Sequence, residues 1–342
     1  MTQTILRINK IQTATAVGID VAKATLSVCI RCREGNERAL LIGNIDADIR
    51  KKLIPRLAGF SGKIVMESTG HYHWLASLIL SESGFDVRVV NPILCKQYTS
   101  ATIRKVKTDP ADASGLARMA ELADNLPTSF TLTPQRLHAR KKLSIMGSLK
   151  RQLQAMSASL NALQEANGIL KIGDSPAEKE LLKITTTLRR SLAHLEAEFV
   201  RDAKKDATQA KRLELLESIP GVSPFCAALS LHWFEAAPSR NPKSWIAYAG
   251  LDVSSRESGT WRGKCKLTKR GNNYLRGRLY GSAWGAVMND PQMKSYYELL
   301  RKQGRAYVES IVIIARKIVR IMFMVLRNNA PYDASQWAVM ES

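Results

Sequence analysis

Along the first ninety residues apolar positions come in short runs bounded by turn-forming residues, the pattern of strands more than of helices. Val17 to Asp20, Thr25 to Cys32 and Ala39 to Ile42 read as three strands, and Gly35-Asn36 between the second and third is a hairpin signal. Asp46 to Leu57 then takes helical spacing, and Lys63 to Glu67 is a short apolar strand. His71 to Ser83 is again helical and stops at Gly84, and Phe85 to Val90 is a further strand before Asn91-Pro92 and another helical segment. The order β, β, β, α, β, α, β, α predicts a mixed sheet with helices on its faces.

Beyond Leu137 the period changes. Met146, Leu149, Leu153, Met156, Leu160, Leu163 and Leu170 recur alternately three and four apart, the seam of a coiled coil. Gly168 to Asp174 interrupts it, and Ser175-Pro176-Ala177-Glu178 restarts a helix with a cap, a first-position proline and a third-position glutamate. Leu181, Ile184, Leu188, Leu192, Leu195 and Phe199 form a second seam, so an antiparallel helical hairpin is expected, as an internal spacer or an oligomerisation arm. From Lys211 the chain reads as mainly helical. Ile219-Pro220-Gly221-Val222 has the form of the turn in a helix-hairpin-helix element, whose amides can approach a DNA phosphate, and equally of an ordinary helix turn. Ile311 to Leu326, broken by Arg316, Lys317 and Arg320, reads as a core helix with one basic face and not as a membrane span. The division expected is 1–135, 136–210 and 211–342.

Charge narrows the partners. The 342 residues carry 51 Lys and Arg against 30 Asp and Glu, a formal charge of +21, which points to a polyanion. An apolar fraction of 45% excludes a disordered basic tail. Met1 to Thr15 lack the apolar core of a signal peptide, so a cytoplasmic location is expected. Five scattered cysteines do not make a disulfide framework, and Cys29 and Cys32, three apart on a strand, point to opposite faces. His71 and His73 flank Tyr72 without a third ligand in view. The densest basic stretch interleaves Arg262, Lys264, Lys266, Lys269, Arg270, Arg276 and Arg278 with Gly259, Gly263, Gly271, Gly277, Trp261 and Tyr274, a composition suited to phosphate contact.

The chemistry lies in carboxylates at element ends. Asp20 ends the first strand and Glu67 the later strand; if those strands are neighbours, both acids meet at one edge. Asp109 and Asp112 lie three apart at a helix start, on one face. Four gathered carboxylates repel unless cations share them, and hard oxygen ligands select Mg²⁺ or Mn²⁺. Two such ions roughly 3.5 to 4 Å apart can activate a nucleophile and stabilise the leaving oxygen of a phosphodiester. Capping alone would explain Asp109 and Asp112, with Pro110 between them, but not Asp20 and Glu67.

The ordered set Gly18-Ile19-Asp20, Met66-Glu67-Ser68-Thr69-Gly70, Asn91-Pro92 and Lys107-Thr108-Asp109-Pro110-Ala111-Asp112-Ala113 resembles the DEDD transposases of the insertion sequence 110 family, relatives of the Piv DNA invertases. Ser218-Ile219-Pro220-Gly221, Ala249-Gly250-Leu251, Glu257-Ser258-Gly259 and Arg262-Gly263 are similar to that family's C-terminal transposase domain. The resemblance implies a RuvC-like, RNase H-type first domain binding Mg²⁺ through Asp20, Glu67, Asp109 and Asp112. It also implies a serine nucleophile matching Ser258 and a noncoding bridge RNA pairing with donor and target DNA; because the carboxylates and Ser258 then lie in different domains joined by the helical hairpin, a homo-oligomer, dimer or tetramer, is expected. From the residues alone, Ser254, Ser255 and Ser258 are equivalent, and no nearby histidine offers activation. Two further readings stay open at this point: a metal-dependent junction-resolving nuclease that uses water, and a nucleic-acid scaffold without catalysis.

Overall fold

Alternation of side chains gives the first sheet two unlike faces. Its strands are β1 (Ala14–Val21), β2 (Thr25–Cys32), β3 (Glu37–Gly43), β4 (Lys63–Glu67) and β5 (Asp86–Val90), ordered β3-β2-β1-β4-β5. β2 runs antiparallel to β1 and β3, whereas β4 runs parallel to β1 and β5. The computed structural model describes residues 14–33, 35–68, 70–92, 95, 109–123, 126, 133–235, 241–254, 257–258, 261–262 and 266–335. They divide into two compact units, Met1–His138 and Ala139–Ser342.

On one face of the sheet Val17, Ile19 and Val21 of β1 join Leu26, Val28, Ile30, Ile64, Met66 and Val87 in a core closed by Ile49, Leu53, Leu57, Ile79 and Leu80. Ile79 and Leu80 come from α1 (His73–Glu82), which ends with Gly84 at φ +85°, a conformation costly for any residue with a Cβ. Ile49, Leu53 and Leu57 come from Asp46–Leu57, which coils with changing pitch and carries Pro55 in its tightest turn, where no N–H donor is needed. The opposite face, carrying Ala16, Val65 and Val90, is covered by Leu116, Met119 and Ala120 of α2 (Asp109–Leu122). Cys29 lies on this α2 face, packed against Ala113 and Ala117.

The second unit is mainly helical: α3 (Pro134–Leu170, which begins just before the unit boundary), α4 (Pro176–Ala203), α5 (Ala207–Glu217), α6 (Pro224–Glu235), α7 (Pro242–Tyr248), α8 (Asn273–Asn289), α9 (Pro291–Lys302) and α10 (Tyr307–Asn328). Four two-residue strands, β6 (Val253–Ser254), β7 (Glu257–Ser258), β8 (Trp261–Arg262) and β9 (Lys266–Leu267), pair as β6 with β9 and β7 with β8. Ser175 caps α4 in a full capping box with Glu178. Lys142 of α3 reaches Glu198 at 2.9 Å and Asp202 at 2.7 Å, while Asn167 reaches Glu178 at 2.8 Å, so α3 and α4 run antiparallel as a hairpin.

The seam does not close along its whole length. Leu143, Met146, Leu192 and Phe199 at the base enter one core with Phe225, Leu279 and Ile318, whereas Leu163, Leu170, Leu182 and Ile184 towards the tip are exposed. The Pro220-Gly221 turn also has a use inside the unit. Gly221 sits at φ +79°, and a Cβ there would come within 2.2 Å of the Ala286 amide nitrogen, so the turn's close approach is to α8. α10 is a core helix that buries Ile311, Ile314, Ile318, Ile321 and Met322, but the three basic residues do not make one exposed face: Arg316 and Arg320 are partly buried, and Lys317 is buried with its ammonium 4.7 Å from the Tyr296 ring centre. Among the described residues no helix is long and apolar enough to cross a membrane.

Arg278 of α8 is ion-paired with Glu196 of α4, whose other hydrogen-bond donor is the Tyr274 hydroxyl at 2.9 Å. The Arg278 guanidinium lies 5.0 Å from the Phe225 ring centre, and the Lys150 ammonium 5.2 Å from that of Tyr274. Burial, reinforced by the Arg278 charge, pushes Lys150 down to about 8. Tyr274 and Arg278, expected in the phosphate-contact stretch, thus tie α4, α6 and α8 together.

Candidate active site

Register brings the first two acids together. β1 and β4 pair in parallel from Ala16 with Lys63 to Ile19 with Met66, so Asp20 and Glu67 are the next residues of adjacent strands. Neighbouring strands lie about 4.8 Å apart. Since Val17, Ile19, Ile64 and Met66 fill one face, alternation sends Asp20 and Glu67 to the other, the α2 face. Both are partly buried.

The direction of α2 completes the edge. Glu121 near its end accepts from Thr15 at 2.9 Å and from Arg31 at 2.9 Å, at the start of β1. Further back, a Cβ on Gly18 would lie 2.2 Å from the Ala113 carbonyl oxygen and 2.2 Å from the Ala117 nitrogen. The helix therefore runs antiparallel to β1 in backbone contact at Gly18, and Asp112 comes beside the strand end where Asp20 lies, two residues past Gly18. Asp109 opens the same helix; its side chain lies outside the described residues. A glycine inside an apolar strand run is the sequence sign of such an approach.

Cys95 reports on the interior of this edge. It is buried at 3% exposure and belongs to the α2-face core. Burial pushes its thiol up to about 12, helped by the Glu67 charge, a hydrogen bond to Glu67 and the Asp112 charge. Glu67 is hydrogen-bonded to this thiol and the Asp112 charge is felt there, a link that no spacing in the sequence pointed to. Cys29 is also pushed up to about 12, by burial first and then by Glu37, so it stays a protonated core residue. The described cysteines are all free, His73 is buried in α1 and His71 is exposed.

Among the described residues no group of three or more His, Cys, Asp or Glu is drawn to metal-holding distance. Like charges do not close on one another without a cation. The donor set still fits a hard ion: three carboxylates placed at one edge, oxygen ligands throughout, with the start of α2 held by a packing contact that leaves no slack.

Ser258 lies in β7, opposite Trp261 of β8 in an antiparallel pair, with Glu257 opposite Arg262; of these side chains nothing is described. Ser255 and Lys264 lie outside the described residues. The Ser254 hydroxyl donates to the Lys266 carbonyl at 3.2 Å, across the β6–β9 pair. Lys266, Lys269 and Arg270 are exposed, while Arg276 turns back to Asn273 at 2.8 Å and to the carbonyls of Lys269 and Gly271.

Comparison with known proteins agrees with this layout. A family model described as a transposase of the DEDD kind matches residues 17–163, and one described as the transposase IS116/IS110/IS902 family matches residues 213–298. An insertion element IS110 protein of 43.6 kDa from Streptomyces coelicolor is 28% identical over 128 residues, 37% of this chain and 32% of that relative. The matched part likewise covers only 37% of an IS900 protein from Mycobacterium paratuberculosis and 39% of an IS116 protein from Streptomyces clavuligerus. A pilin gene-inverting protein from Moraxella bovis is 23% identical over 93% of this chain and 98% of its own length. The two family models together take in more than half of the residues, the first spanning both strands that carry Asp20 and Glu67, and the chain belongs to the IS116/IS110/IS902 family of transposases.

Proposed function

We propose that this chain cuts and rejoins donor and target DNA as the recombinase of an insertion sequence, through Asp20, Glu67, Asp109 and Asp112 together with Ser258. The observation that carries the reading is the in-register placement of Asp20 and Glu67 on the face against which α2 brings Asp112. The strand order β3-β2-β1-β4-β5, with β2 antiparallel to its neighbours, supports an RNase H-like, RuvC-like assignment for the first domain. The pilin gene-inverting relatives, matched along nearly all of their length, support strand exchange over simple hydrolysis. We keep the division into a catalytic domain (1–135), a helical hairpin (136–210) and a C-terminal transposase domain (211–342) as a functional one.

In this reading the four carboxylates would hold Mg²⁺, two ions with Mn²⁺ as substitute, which when bound would polarise a phosphodiester and lower the barrier to its displacement. The Ser258 oxygen attacks phosphorus, a bond from phosphorus to a deoxyribose oxygen breaks, and the serine proton ends on the departing oxygen. The phosphoserine link keeps the bond energy, so a second DNA hydroxyl can reverse the step on a new partner. Arg262, Lys264, Lys266, Lys269 and Arg270 hold phosphates. Arg276 shapes the loop that presents them, and Arg278 anchors the helix behind it. A bridge RNA supplies sequence choice by base pairing, and the subunits assemble as a dimer or tetramer.

The test is trapping of a protein–DNA adduct. Wild type and Ser254→Ala should form it in the presence of Mg²⁺, and Ser258→Ala should bind DNA and form none. Cleavage by Ser258→Ala at the wild-type rate would favour the nuclease reading, with water as nucleophile. Mixing Asp20→Asn with Ser258→Ala protein asks whether one site draws on two subunits: recovery of strand exchange means that it does.

A further inference from the structure

Asn44 follows β3 and joins three chain segments at the carboxylate edge. Its backbone N–H donates to the Ala24 carbonyl at 2.9 Å, in the β1–β2 turn. Its side-chain Nδ2 donates to the Ala22 carbonyl at 3.0 Å and to the Tyr72 carbonyl at 3.0 Å. Ala22 lies two residues past Asp20, and Tyr72 five residues past Glu67. The amide thus spans the two segments that leave the acid-bearing strand ends, just beyond the point where the β1–β4 ladder stops at Ile19 and Met66.

The orientation of the amide is unambiguous, because flipping it would set Oδ1 against two carbonyl oxygens. Both Nδ2 hydrogens are used, and no side chain of similar size offers two donors from one planar group. The Oδ1 atom is buried and has no donor among the described residues, a cost that a residue retained only for stability would avoid.

We infer that Asn44 is a positioning residue for the carboxylate edge, holding the segments after Asp20 and Glu67 at fixed spacing so that the two acids can share a small cation. The inference rests on the reading of that edge as a metal site. A hard ion tolerates little error in its oxygen ligands, and groups that orient the ligands typically matter about 10- to 100-fold in metal affinity. Losing both Nδ2 bonds should let the two segments drift apart while the sheet, packed on both faces, remains.

The experiment is Mn²⁺ binding to the full-length protein by calorimetry, at a temperature where circular dichroism shows every variant folded. Asn44→Ala should weaken Mn²⁺ binding about tenfold, and Asn44→Ser, which keeps one donor, should weaken it less. Ile79→Val serves as a stability control, because it thins the opposite-face core without touching the edge, and should bind Mn²⁺ as wild type does. Amide hydrogen exchange in the metal-free protein gives a second readout: residues 22–24 and 70–72 should exchange faster in Asn44→Ala. Faster exchange with unchanged Mn²⁺ affinity would overturn the inference and leave Asn44 a structural clamp. Should Asn44→Ala not fold, Asn44→Ser carries the same two outcomes. Asp20→Asn separates the premise from the inference: wild-type Mn²⁺ affinity in that variant overturns the metal reading itself, and Asn44 falls with it. Lost affinity in Asp20→Asn beside wild-type affinity in Asn44→Ala overturns Asn44 alone.

Discussion

In the first unit Asp20, Glu67 and Asp112 collect at one edge where two strands end and a helix begins, and their charges have the same sign. In the second unit Glu196 is enclosed by Arg278, the Tyr274 hydroxyl and aromatic rings, with Lys150 beside them. Both regions bring ionisable groups out of bulk water, and in the second a guanidinium and a phenol hydroxyl meet the acid directly. A site that gathers like charges stores repulsion that an incoming cation can relieve, whereas a compensated cluster has nothing to offer a ligand and acts as a joint between helices. The difference separates machinery from scaffold by chemistry, without reference to which groups are more buried.

The largest effect should come from removing one charge at the open edge. Asp20→Asn or Glu67→Gln should abolish strand exchange, yet the metal-free variants should stay folded, because each change removes a ligand charge at nearly constant shape. At Mg²⁺ a hundred times its Kd the wild-type protein should gain about 2.7 kcal/mol of stability and the variants almost none. Metal-free melting several degrees below wild type would mean that the acids are structural partners and the comparison fails. Gly18→Ala attacks the same edge by packing. Its Cβ would meet backbone atoms at 2.2 Å that cannot swing aside, so a loss of about 3 kcal/mol is expected in urea denaturation of the first unit. A loss under half of that would show that α2 can lift off β1.

In the compensated cluster, Glu196→Gln should cost the second unit about 2 kcal/mol, less than the roughly 3–5 kcal/mol of a fully buried pair because Arg278 keeps 26% of its side chain exposed. Replacing the pair together, Glu196→Leu with Arg278→Met, should cost much less than the single change. A double variant as unstable as Glu196→Gln would show the pair itself to be stabilising. The smallest effect is one of pH. Lys150 titrates near 8 in the fold against its ordinary value of 10.5, so between those values the unfolded chain binds more protons and stability rises with pH. Compared with Lys150→Met, wild type should therefore gain in melting temperature from pH 8 to 9.5, and parallel curves would remove the burial argument for Lys150.

The period-two runs of β1, β2 and β4, the Gly84 stop and the Ser175 capping box were legible because each is a local signal whose physics acts within a few residues. The same holds for the carboxylates at element ends, and for the apolar stripe of α10. Non-local facts were not legible. Heptad spacing in α3 continues to Leu170, but burial becomes intermittent beyond Met146, with Leu160 buried while Leu163 and Leu170 are exposed, since packing depends on what lies opposite. Arg278 and Tyr274 share a basic, glycine-rich neighbourhood with Lys269 and Arg270, and only the position of Glu196 on another helix turned the first pair inward.

By itself, then, the sequence determined the element order of the sheet unit, the residue types able to hold a hard cation and their placement at strand and helix ends, because propensity, capping and alternation act along the chain. Tertiary structure decided that β1 and β4 are neighbours in parallel register, that α2 runs back along β1 over Gly18, and that Cys95 and Asn44 belong to the edge. Those facts depend on which distant segments can approach one another, a matter of backbone clearance and shared burial that no single stretch of residues encodes.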